Sequence, residues 1–215
     1  MEKDAIVISV DGTSGSGKST NSKIVAEALG FTYVDTGAMY RTFAWWCLKN
    51  KIDVEDQKEI GDAITSWDPE LKNLGGKIWL TIDGYFPEKE IRTEEVSRIV
   101  SKIAAHPAVR KWMKDSQQSC IQFGSLVMEG RDIGSNIFPQ TPYKFYIDAN
   151  IELRAKRRLA DGVNEDLAAR DKSDSQRKHN PLVIPEGAVL VNTSGRNPDE
   201  TSKFILNKIN EIKEK

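Results

Sequence analysis

Short apolar runs alternate with stretches of helical periodicity along most of the chain. The apolar runs lie at residues 5–10, 32–34, 125–128, 143–147 and 188–191. The helical patterns lie near residues 18–29, 38–50, 107–123, 150–160 and 199–213. Such alternation favours a parallel sheet with helices on both faces, and apolar residues at successive positions are typical of strands buried on both sides. The pattern therefore predicts a three-layer α/β fold.

Two segments depart from this alternation. Within residues 53–105, the stretch 78–85 is typical of a strand that enters a turn, and residues 88–92 are predicted to form the returning strand. Another helix is predicted to begin after Thr93, because residues 93–96 fit most of a capping-box pattern. We interpret this segment as a small antiparallel insert on one edge of the core. Residues 160–185 are polar and rich in charge, and a loop of this length beside a ligand site favours a lid.

An eight-residue motif follows the first apolar run and precedes the first helical pattern. Residues 12–19 read G-T-S-G-S-G-K-S and fit the phosphate-binding pattern G-x-x-x-x-G-K-[ST]. Glycines let successive N–H groups point at phosphate oxygens, Lys18 can reach the β- and γ-phosphates, and the Ser19 hydroxyl can bind Mg²⁺. A glycine- and serine-rich turn without a ligand is the alternative, which the strand before and the helix after disfavour. We expect a nucleoside triphosphate to be bound by Gly12, Thr13, Ser14, Gly15, Ser16, Gly17, Lys18, Ser19 and Thr20.

The composition is that of an ordinary globular protein. The chain has 215 residues, of which 39% are hydrophobic and 29% charged, enough for one well-filled core with inserted subdomains. A net charge of −1 gives no overall field that would favour nucleic acid or an anionic membrane. Cys47 and Cys120 lie far apart in no metal-binding spacing, so we expect buried reduced thiols. No secretory signal precedes the first strand and no apolar run approaches about 18 residues, so we expect a cytoplasmic protein.

Arginines provide the next indication of chemistry. A triphosphate-binding loop alone does not separate switches, motors and kinases, but the N-K-x-D motif of guanine-nucleotide switches is absent from the sequence. Arg41 and Arg131 each follow a strand end, where open α/β sheets bind ligands, although a single arginine is more often a solvated surface residue. Helical spacing places Arg154, Arg157 and Arg158 on one side of a basic turn. We expect these three to contact ATP phosphates when the lid closes; a solvated face or a nucleic-acid patch is the alternative.

Four short blocks, together with the motif at 12–19, resemble the bacterial cytidylate kinase family. The blocks are D-T-G-A-M-Y-R at 35–41, I-R-T at 91–93, E-G-R-D-I-G at 129–134, and R-D at 170–171 before P-L at 181–182. The resemblance spans nearly the whole chain and implies a P-loop kinase fold in a single domain, residues 1–215. It implies a core of residues 1–35, 106–150 and 186–215, an inserted segment that binds the nucleoside monophosphate at about 36–105, and a short lid at about 155–180.

The same resemblance implies the substrates and their contacts. It implies that the γ-phosphoryl group of ATP is transferred to CMP or dCMP, with Mg²⁺ as cofactor. The acceptor phosphate would be held by Arg41, Arg131 and Arg177, with Thr36 assisting. The ribose would be contacted by Arg170 and Asp174. The cytosine would be read by Ser101, Arg110 and Asp132.

The chemistry of cytosine agrees with these assignments. Its N4 group donates a hydrogen bond and its N3 and O2 atoms accept, so Asp132 facing N4 and Arg110 facing N3 and O2 would satisfy that edge. Uracil reverses the pattern, and each unpaired buried polar group costs about 1–3 kcal/mol, so discrimination of roughly tenfold to several hundredfold is expected. A structural ion pair between Arg110 and Asp132 is the alternative interpretation.

The reaction asks little of side chains as acids or bases. A phosphate monoester is already ionised near neutral pH, and neither His106 nor His179 lies in a motif. We therefore expect catalysis by positioning and charge neutralisation, with Lys18, Arg41, Arg131 and Arg177 as catalytic residues. Ser19 is expected to bind the metal, with Glu129 acting on it through water. A structural role is the alternative for Glu129, and Asp148 is the competing acid.

Two other functions remain open at this point. One is a related small kinase that phosphorylates UMP or a metabolite other than a nucleotide. The other is a binding protein that uses a triphosphate to switch partners. If the chain is the favoured kinase, we expect it to be a monomer. We expect its partners to be ATP and CMP or dCMP, and not nucleic acid or a membrane.

Overall fold

The computed structural model describes residues 5–163, 166–177 and 180–214. The chain divides into two compact units. The first unit comprises Met1–Val34 with Phe123–Lys215, and the second comprises Asp35–Gln122. The second unit overlaps the insert that was predicted at about residues 36–105, and the bounds of the insert stay a prediction. No helix within the described ranges is long and apolar enough to span a membrane.

The elements occur in the predicted alternating order. The strands are β1 Val7–Gly12, β2 Thr32–Asp35, β3 Glu70–Leu74, β4 Lys77–Thr81, β5 Leu126–Gly130, β6 Lys144–Asp148 and β7 Val189–Asn192. The α-helices are α1 Lys18–Leu29, α2 Thr36–Lys49, α3 Gln57–Ser66, α4 Glu94–Ile103, α5 Pro107–Ser119, α6 Ile151–Ala160, α7 Leu167–Ser175 and α8 Pro198–Lys213. The strands and helices predicted outside the insert are all found, with ends that differ by a few residues.

The first unit contains a parallel sheet with strand order β2-β5-β1-β6-β7. β1 pairs in parallel with both β5 and β6, and β6 pairs in parallel with β7. Every residue of β1 is buried, and its apolar side chains join a core to which α1 contributes Val25 and α8 contributes Ile205 and Ile209. The predicted α/β fold with a parallel sheet is confirmed.

The second unit contains an antiparallel hairpin of β3 and β4. The loop is Gly75-Gly76, whose φ angles of 61° and 78° suit a two-residue hairpin turn between the paired residues Leu74 and Lys77. The partner of β4 therefore precedes it in the chain. The prediction that residues 88–92 form the returning strand is wrong, because Glu90–Arg92 is a 3-10 helix.

The charge-rich segment after α6 includes a helix that the sequence analysis did not predict. Helix α7 begins after Asp166, whose side chain accepts a hydrogen bond from the Ala169 N–H at 3.0 Å. Leu167 and Asp174 of this helix are buried, so part of the segment packs against other elements of the first unit. Its closure as a lid stays a prediction.

Both cysteines are free and buried, as predicted. Burial raises the pKa of the Cys47 and Cys120 thiols to about 12. His106 directly precedes α5, and its Nε2 atom lies 3.0 Å from the Gln57 carbonyl oxygen. It therefore lies at the junction of α4 and α5, whereas His179 lies outside the described residues.

Candidate functional site

The loop between β1 and α1 requires glycine at two positions where other backbone comes close. A Cβ atom on Gly12, whose φ is 145°, would lie 1.9 Å from the carbonyl oxygen of Ile147. A Cβ atom on Gly15, whose φ is 71°, would lie 2.8 Å from the carbonyl oxygen of Arg154. The loop ends at Gly17, the N-cap of α1, which supplies no side-chain cap. The first amides of α1 are therefore left to interact with an anion.

Lys18 is held on the inner side of this loop. Its Nζ atom donates to the Thr13 carbonyl at 2.6 Å, and the Ser16 hydroxyl donates to the same oxygen at 2.9 Å. The Thr13 hydroxyl in turn donates to Asp148 Oδ1 at 2.6 Å. Burial, and secondly the positive charge of Arg131, lower the pKa of Lys18 below its ordinary value. An anion bound at this loop would favour the charged form of the ammonium group.

The predicted arginines of α6 lie against the loop. Arg154 is buried and donates to the carbonyls of Ala149 at 3.1 Å and Ser14 at 3.2 Å, and to Asp171 at 2.7 Å. Arg157 donates to the Gly15 carbonyl at 3.3 Å. It also donates to the hydroxyl and the carbonyl of Thr193, at 3.0 and 3.3 Å. Arg158 lies 3.4 Å from Asp161. Arg154 and Arg157 thus support the loop backbone, and contact of the three arginines with ATP phosphates stays a prediction.

A cavity of about 350 Å³ opens beside the loop, within the size range of ligand pockets. It brings together the predicted residues Gly15, Gly17, Lys18, Ser19, Thr20, Arg157 and Arg158. Its other lining residues include Thr193, Arg196, Pro198 and Thr201, which the sequence analysis missed. The signal that could have found them is their place after β7, at the carboxyl edge of the sheet where such folds bind ligands.

Two of the predicted phosphate-binding arginines meet at one carboxylate in the first unit. Arg131 donates through Nε to Asp174 at 2.7 Å and through Nη1 to the Gly12 carbonyl at 2.6 Å. Arg177 donates to the other oxygen of Asp174, which is 1% exposed. Burial alone would raise the pKa of Asp174, but the charges of Arg131, Arg177 and Arg170 lower it below the usual value. Asp174 is therefore a carboxylate that holds two cations in place.

The turn after β5 is bound by a residue that the sequence analysis missed. A π-helix, Ile133–Ile137, follows Asp132, and its first two N–H groups donate to Asp11 at 2.7 and 2.8 Å. Burial raises the pKa of Asp11 to about 6. Asp132 is also buried, and its Oδ2 atom accepts from the Asn136 amide at 3.0 Å. A charged residue in a strand that otherwise has none was the available signal for Asp11.

The two candidate metal-associated acids lie at strand ends. Glu129, on β5, is 3% exposed and accepts a hydrogen bond from the Tyr33 hydroxyl. Asp148, at the end of β6, is engaged by Thr13 and by the Ala149 N–H at 2.9 Å. The part of the chain that the structure describes has no group of three or more His, Cys, Asp or Glu residues suited to a metal. A metal held here would therefore take most of its ligands from elsewhere.

In the second unit, the start of α2 gathers polar groups around the predicted residues Thr36 and Arg41. Asp35 caps the helix by accepting from the Ala38 N–H at 2.9 Å, and it pairs with Arg92 at 2.9 Å. Thr36, the first helical residue, is buried. Arg41 is buried as well, and its Nη1 atom donates to the Ile91 carbonyl at 3.1 Å and the Ser97 hydroxyl at 2.9 Å.

The residues predicted to read the base divide between the units. Arg110 of α5 is 6% exposed, donates to the Ala104 carbonyl at 3.2 Å and has its guanidinium 6.0 Å from the centre of the Tyr40 ring. Ser101, on α4, is half-buried. Both lie in the second unit, whereas Asp132 lies in the first.

Comparison with known proteins gives one consistent family. The profile of the family described as "Cytidylate kinase" matches residues 8–211. The cytidylate kinase of Lysinibacillus sphaericus is 36% identical over 215 residues, which cover 95% of this chain and 96% of that protein. The cytidylate kinase of Clostridioides difficile is 39% identical over 95% of this chain and 98% of its own. The cytidylate kinase of Streptococcus suis is 37% identical over 97% of this chain and 98% of its own.

Proposed function

We propose, since the chain belongs to the cytidylate kinase family, that it transfers the γ-phosphoryl group of ATP to CMP or dCMP and yields CDP or dCDP. The observation that carries the proposal is the phosphate-binding loop. Its Lys18 is buried and donates to a loop carbonyl, and Arg131 donates a hydrogen bond to the carbonyl of Gly12 in the same loop. This arrangement supplies positive charge on both sides of the place where a phosphoryl group would pass. A cytoplasmic location and a monomeric state remain predictions.

The donor side is supported by the loop and its cavity. The loop amides and Lys18 would bind the β- and γ-phosphates, and the cavity beside Ser19 and Thr20 would take the rest of the nucleotide. Because burial lowers the pKa of Lys18, its charge is stabilised most when a polyanion is bound.

The acceptor phosphate is proposed to interact with Arg131 and Arg177. Both guanidiniums are oriented by Asp174 before any substrate arrives, so little reorganisation is needed when charge develops. Arg41, fixed by Ile91 and Ser97 within the second unit, is proposed to act on the same phosphate. Thr36 would assist at the N-terminus of α2.

The nucleoside of the acceptor is proposed to be recognised by polar side chains that are fixed in advance. Asp132 would accept a hydrogen bond from the cytosine N4 group, and Asn136 already orients its carboxylate. Arg110 would donate to N3 and O2, and Ser101 would support the base. Arg170 and Asp174 are proposed to contact the ribose.

The transfer step needs no general base. The monoester oxygen of the acceptor is ionised near neutral pH and attacks the γ-phosphorus while the bond to the β-phosphate oxygen breaks. Lys18 and Arg131 neutralise the charge that spreads over the transferred group. Exclusion of water by the predicted lid would keep water from acting as the acceptor.

Magnesium is proposed as the cofactor, and the residues present fit it. Mg²⁺ prefers oxygen ligands, keeps several waters and is usually bound through one or two protein groups plus substrate phosphates. The Ser19 hydroxyl would bind it directly, and the buried carboxylate of Glu129 would bind it through water. The lack of a larger acidic cluster in the described ranges agrees with a metal that arrives with the nucleotide. When bound, the ion would neutralise charge on the β- and γ-phosphates.

The proposal is tested by coupled ADP release with CMP, dCMP, UMP, AMP or no acceptor. We expect turnover with CMP or dCMP to exceed that with UMP by roughly tenfold or more, the effect of one unpaired buried polar group. Turnover without an acceptor would instead favour a nucleotide-dependent switch. A preference for UMP would overturn the role given to Asp132.

Three variants separate base recognition from catalysis. Asp132→Ala should relax the choice among bases, whereas Arg131→Ala should slow transfer to every acceptor. Arg98→Ala is the matched control, because Arg98 is exposed and its ion pair among the described residues is with Glu94 of its own helix, at 2.7 Å. The assignments of Asp132 and Arg131 are wrong if their variants match the control.

A further inference from the structure

We propose that Asp11 is a positioning residue: its carboxylate fixes the turn 131–134 and thereby orients Arg131 and Asp132 toward the acceptor. Asp11 lies outside the residues assigned to substrate or metal. The inference rests on the proposed function, because Arg131 and Asp132 have their roles from that proposal.

The carboxylate of Asp11 matches two neighbouring backbone donors. Asp11 is the next-to-last residue of β1 and is fully buried. Its Oδ1 atom accepts from the Ile133 N–H at 2.7 Å and its Oδ2 atom from the Gly134 N–H at 2.8 Å. Only a carboxylate offers two acceptor oxygens to two adjacent amides, since asparagine would present an NH₂ group to one of them.

The turn is bound to the end of β1 at a second point. The guanidinium of Arg131 donates to the carbonyl of Gly12, the residue after Asp11, at 2.6 Å. Asp11 also lies opposite Gly130 in the pairing of β1 with β5. Asp132 is therefore between two attachments of the same strand end, one through Arg131 and one through Asp11.

The packing beneath the turn leaves no room for a side chain at residue 134. A Cβ atom on Gly134 would lie 2.7 Å from the Ser9 hydroxyl oxygen and 3.2 Å from Asp11 Oδ2. A side chain at residue 134 would therefore move the turn away from β1. Gly134→Ala thus perturbs the attachment without changing Asp11.

Asp11 does more than cap a short helix for stability. Burial raises its pKa to about 6, so its negative charge is unfavourable in the folded protein at neutral pH. A neutral residue would avoid this cost. A buried carboxylate under a turn with two substrate-facing side chains is more consistent with positioning than with stabilisation.

The test compares the binding of CMP and of ATP, each alone, by calorimetry at about pH 8. Asp11→Asn should raise the Kd of CMP by about tenfold, the equivalent of about 1.4 kcal/mol or one lost hydrogen bond. The Kd of ATP should stay within about threefold, a difference of well under 1.4 kcal/mol. Ser9→Ala is the control for packing beneath the turn, because it removes the hydroxyl that faces Gly134 and leaves both hydrogen bonds of Asp11 in place. It should change neither Kd.

Amide exchange supplies a readout that does not depend on activity. The amides of Ile133 and Gly134 should exchange faster in Asp11→Asn than in the parent, and not in Ser9→Ala. Unchanged CMP affinity, or equal weakening of CMP and ATP, would overturn the positioning role. If Asp11→Asn does not fold, Gly134→Ala takes its place with the same expected results. If the parent itself binds no CMP, the proposed function fails, while exchange at these amides still decides whether Asp11 fixes the turn.

Discussion

The buried carboxyl group of Asp11 should make the stability of the protein depend on pH in a way that one substitution removes. Its pKa is raised from 3.8 to about 6, mainly by burial and to a smaller extent by the charge of Asp132. The N–H groups of Gly134 and Ile133 oppose this shift without cancelling it. The carboxyl group is therefore protonated more readily in the folded than in the unfolded chain.

The sign and size of the effect follow from the two pKa values. Below 3.8 the group is protonated in both states, so its contribution to stability is fully present there. As pH rises toward about 6, the unfolded chain loses the proton first, so the free energy of unfolding falls. Each pKa unit is worth about 1.4 kcal/mol, so the total loss is about 3 kcal/mol, of which about half occurs between pH 5 and pH 8.

The assay is urea unfolding of the parent, Asp11→Asn and Ser9→Ala across that pH range. Circular dichroism is the suitable signal, because the five tryptophans lie at residues 45–112 in the second unit, whereas Asp11 belongs to the first. The free-energy difference between Asp11→Asn and the parent should change by about 1.5 kcal/mol in favour of the variant as pH rises from 5 to 8. Ser9→Ala should differ from the parent by a constant amount. A constant difference for Asp11→Asn as well would refute the reasoning, because the native carboxyl group would then not be a buried charge.

Two further predictions concern packing. Gly12→Ala should lower the free energy of unfolding by about 3 kcal/mol or more, because its Cβ would lie 1.9 Å from the Ile147 carbonyl oxygen. Gly195→Ala, whose Cβ would meet nothing within 4 Å, is the control, and equal urea midpoints for the two variants would contradict the expectation. The thiols of Cys47 and Cys120 should resist a disulfide reagent at about pH 8 until urea unfolds the chain, because burial raises their pKa to about 12. Rapid labelling of the native protein would contradict this.

The sequence was sufficient to predict features that depend on neighbouring residues. The alternation of apolar runs and helical patterns predicted the parallel sheet, and the glycines of residues 12–17 predicted the loop between β1 and α1. The hairpin was only partly predicted. Its Gly75-Gly76 turn is a local signal for a hairpin that did not enter the prediction, so β3 was missed. The returning strand was instead predicted at residues 88–92, which include a 3-10 helix.

Features that depend on distant residues could not be predicted in the same way. The Asp11 carboxylate bonds to amides 122 and 123 residues further along the chain, and Arg154 donates to a carbonyl 140 residues before it. A sequence shows that these side chains are charged and lie near apolar residues, but not which backbone groups they meet. The predicted site is therefore most detailed at the loop, where the chemistry is contiguous, and least detailed where contacts join separate segments.

Asp11 and Asp174 illustrate how neighbours decide what a buried carboxylate does. Both are almost fully buried in the first unit, yet the pKa of Asp11 is raised and that of Asp174 is lowered. Asp11 accepts hydrogen bonds from two amides, and neither these bonds nor the charge of Lys18 offsets its burial, whereas Asp174 accepts hydrogen bonds from the guanidiniums of Arg131 and Arg177. Two guanidiniums at one place repel each other, so Asp174 allows them to be close before a phosphate arrives. Asp174 thus holds the cations and Asp11 holds the turn that carries one of them, so the positions of the charges proposed to act on phosphate are fixed without substrate.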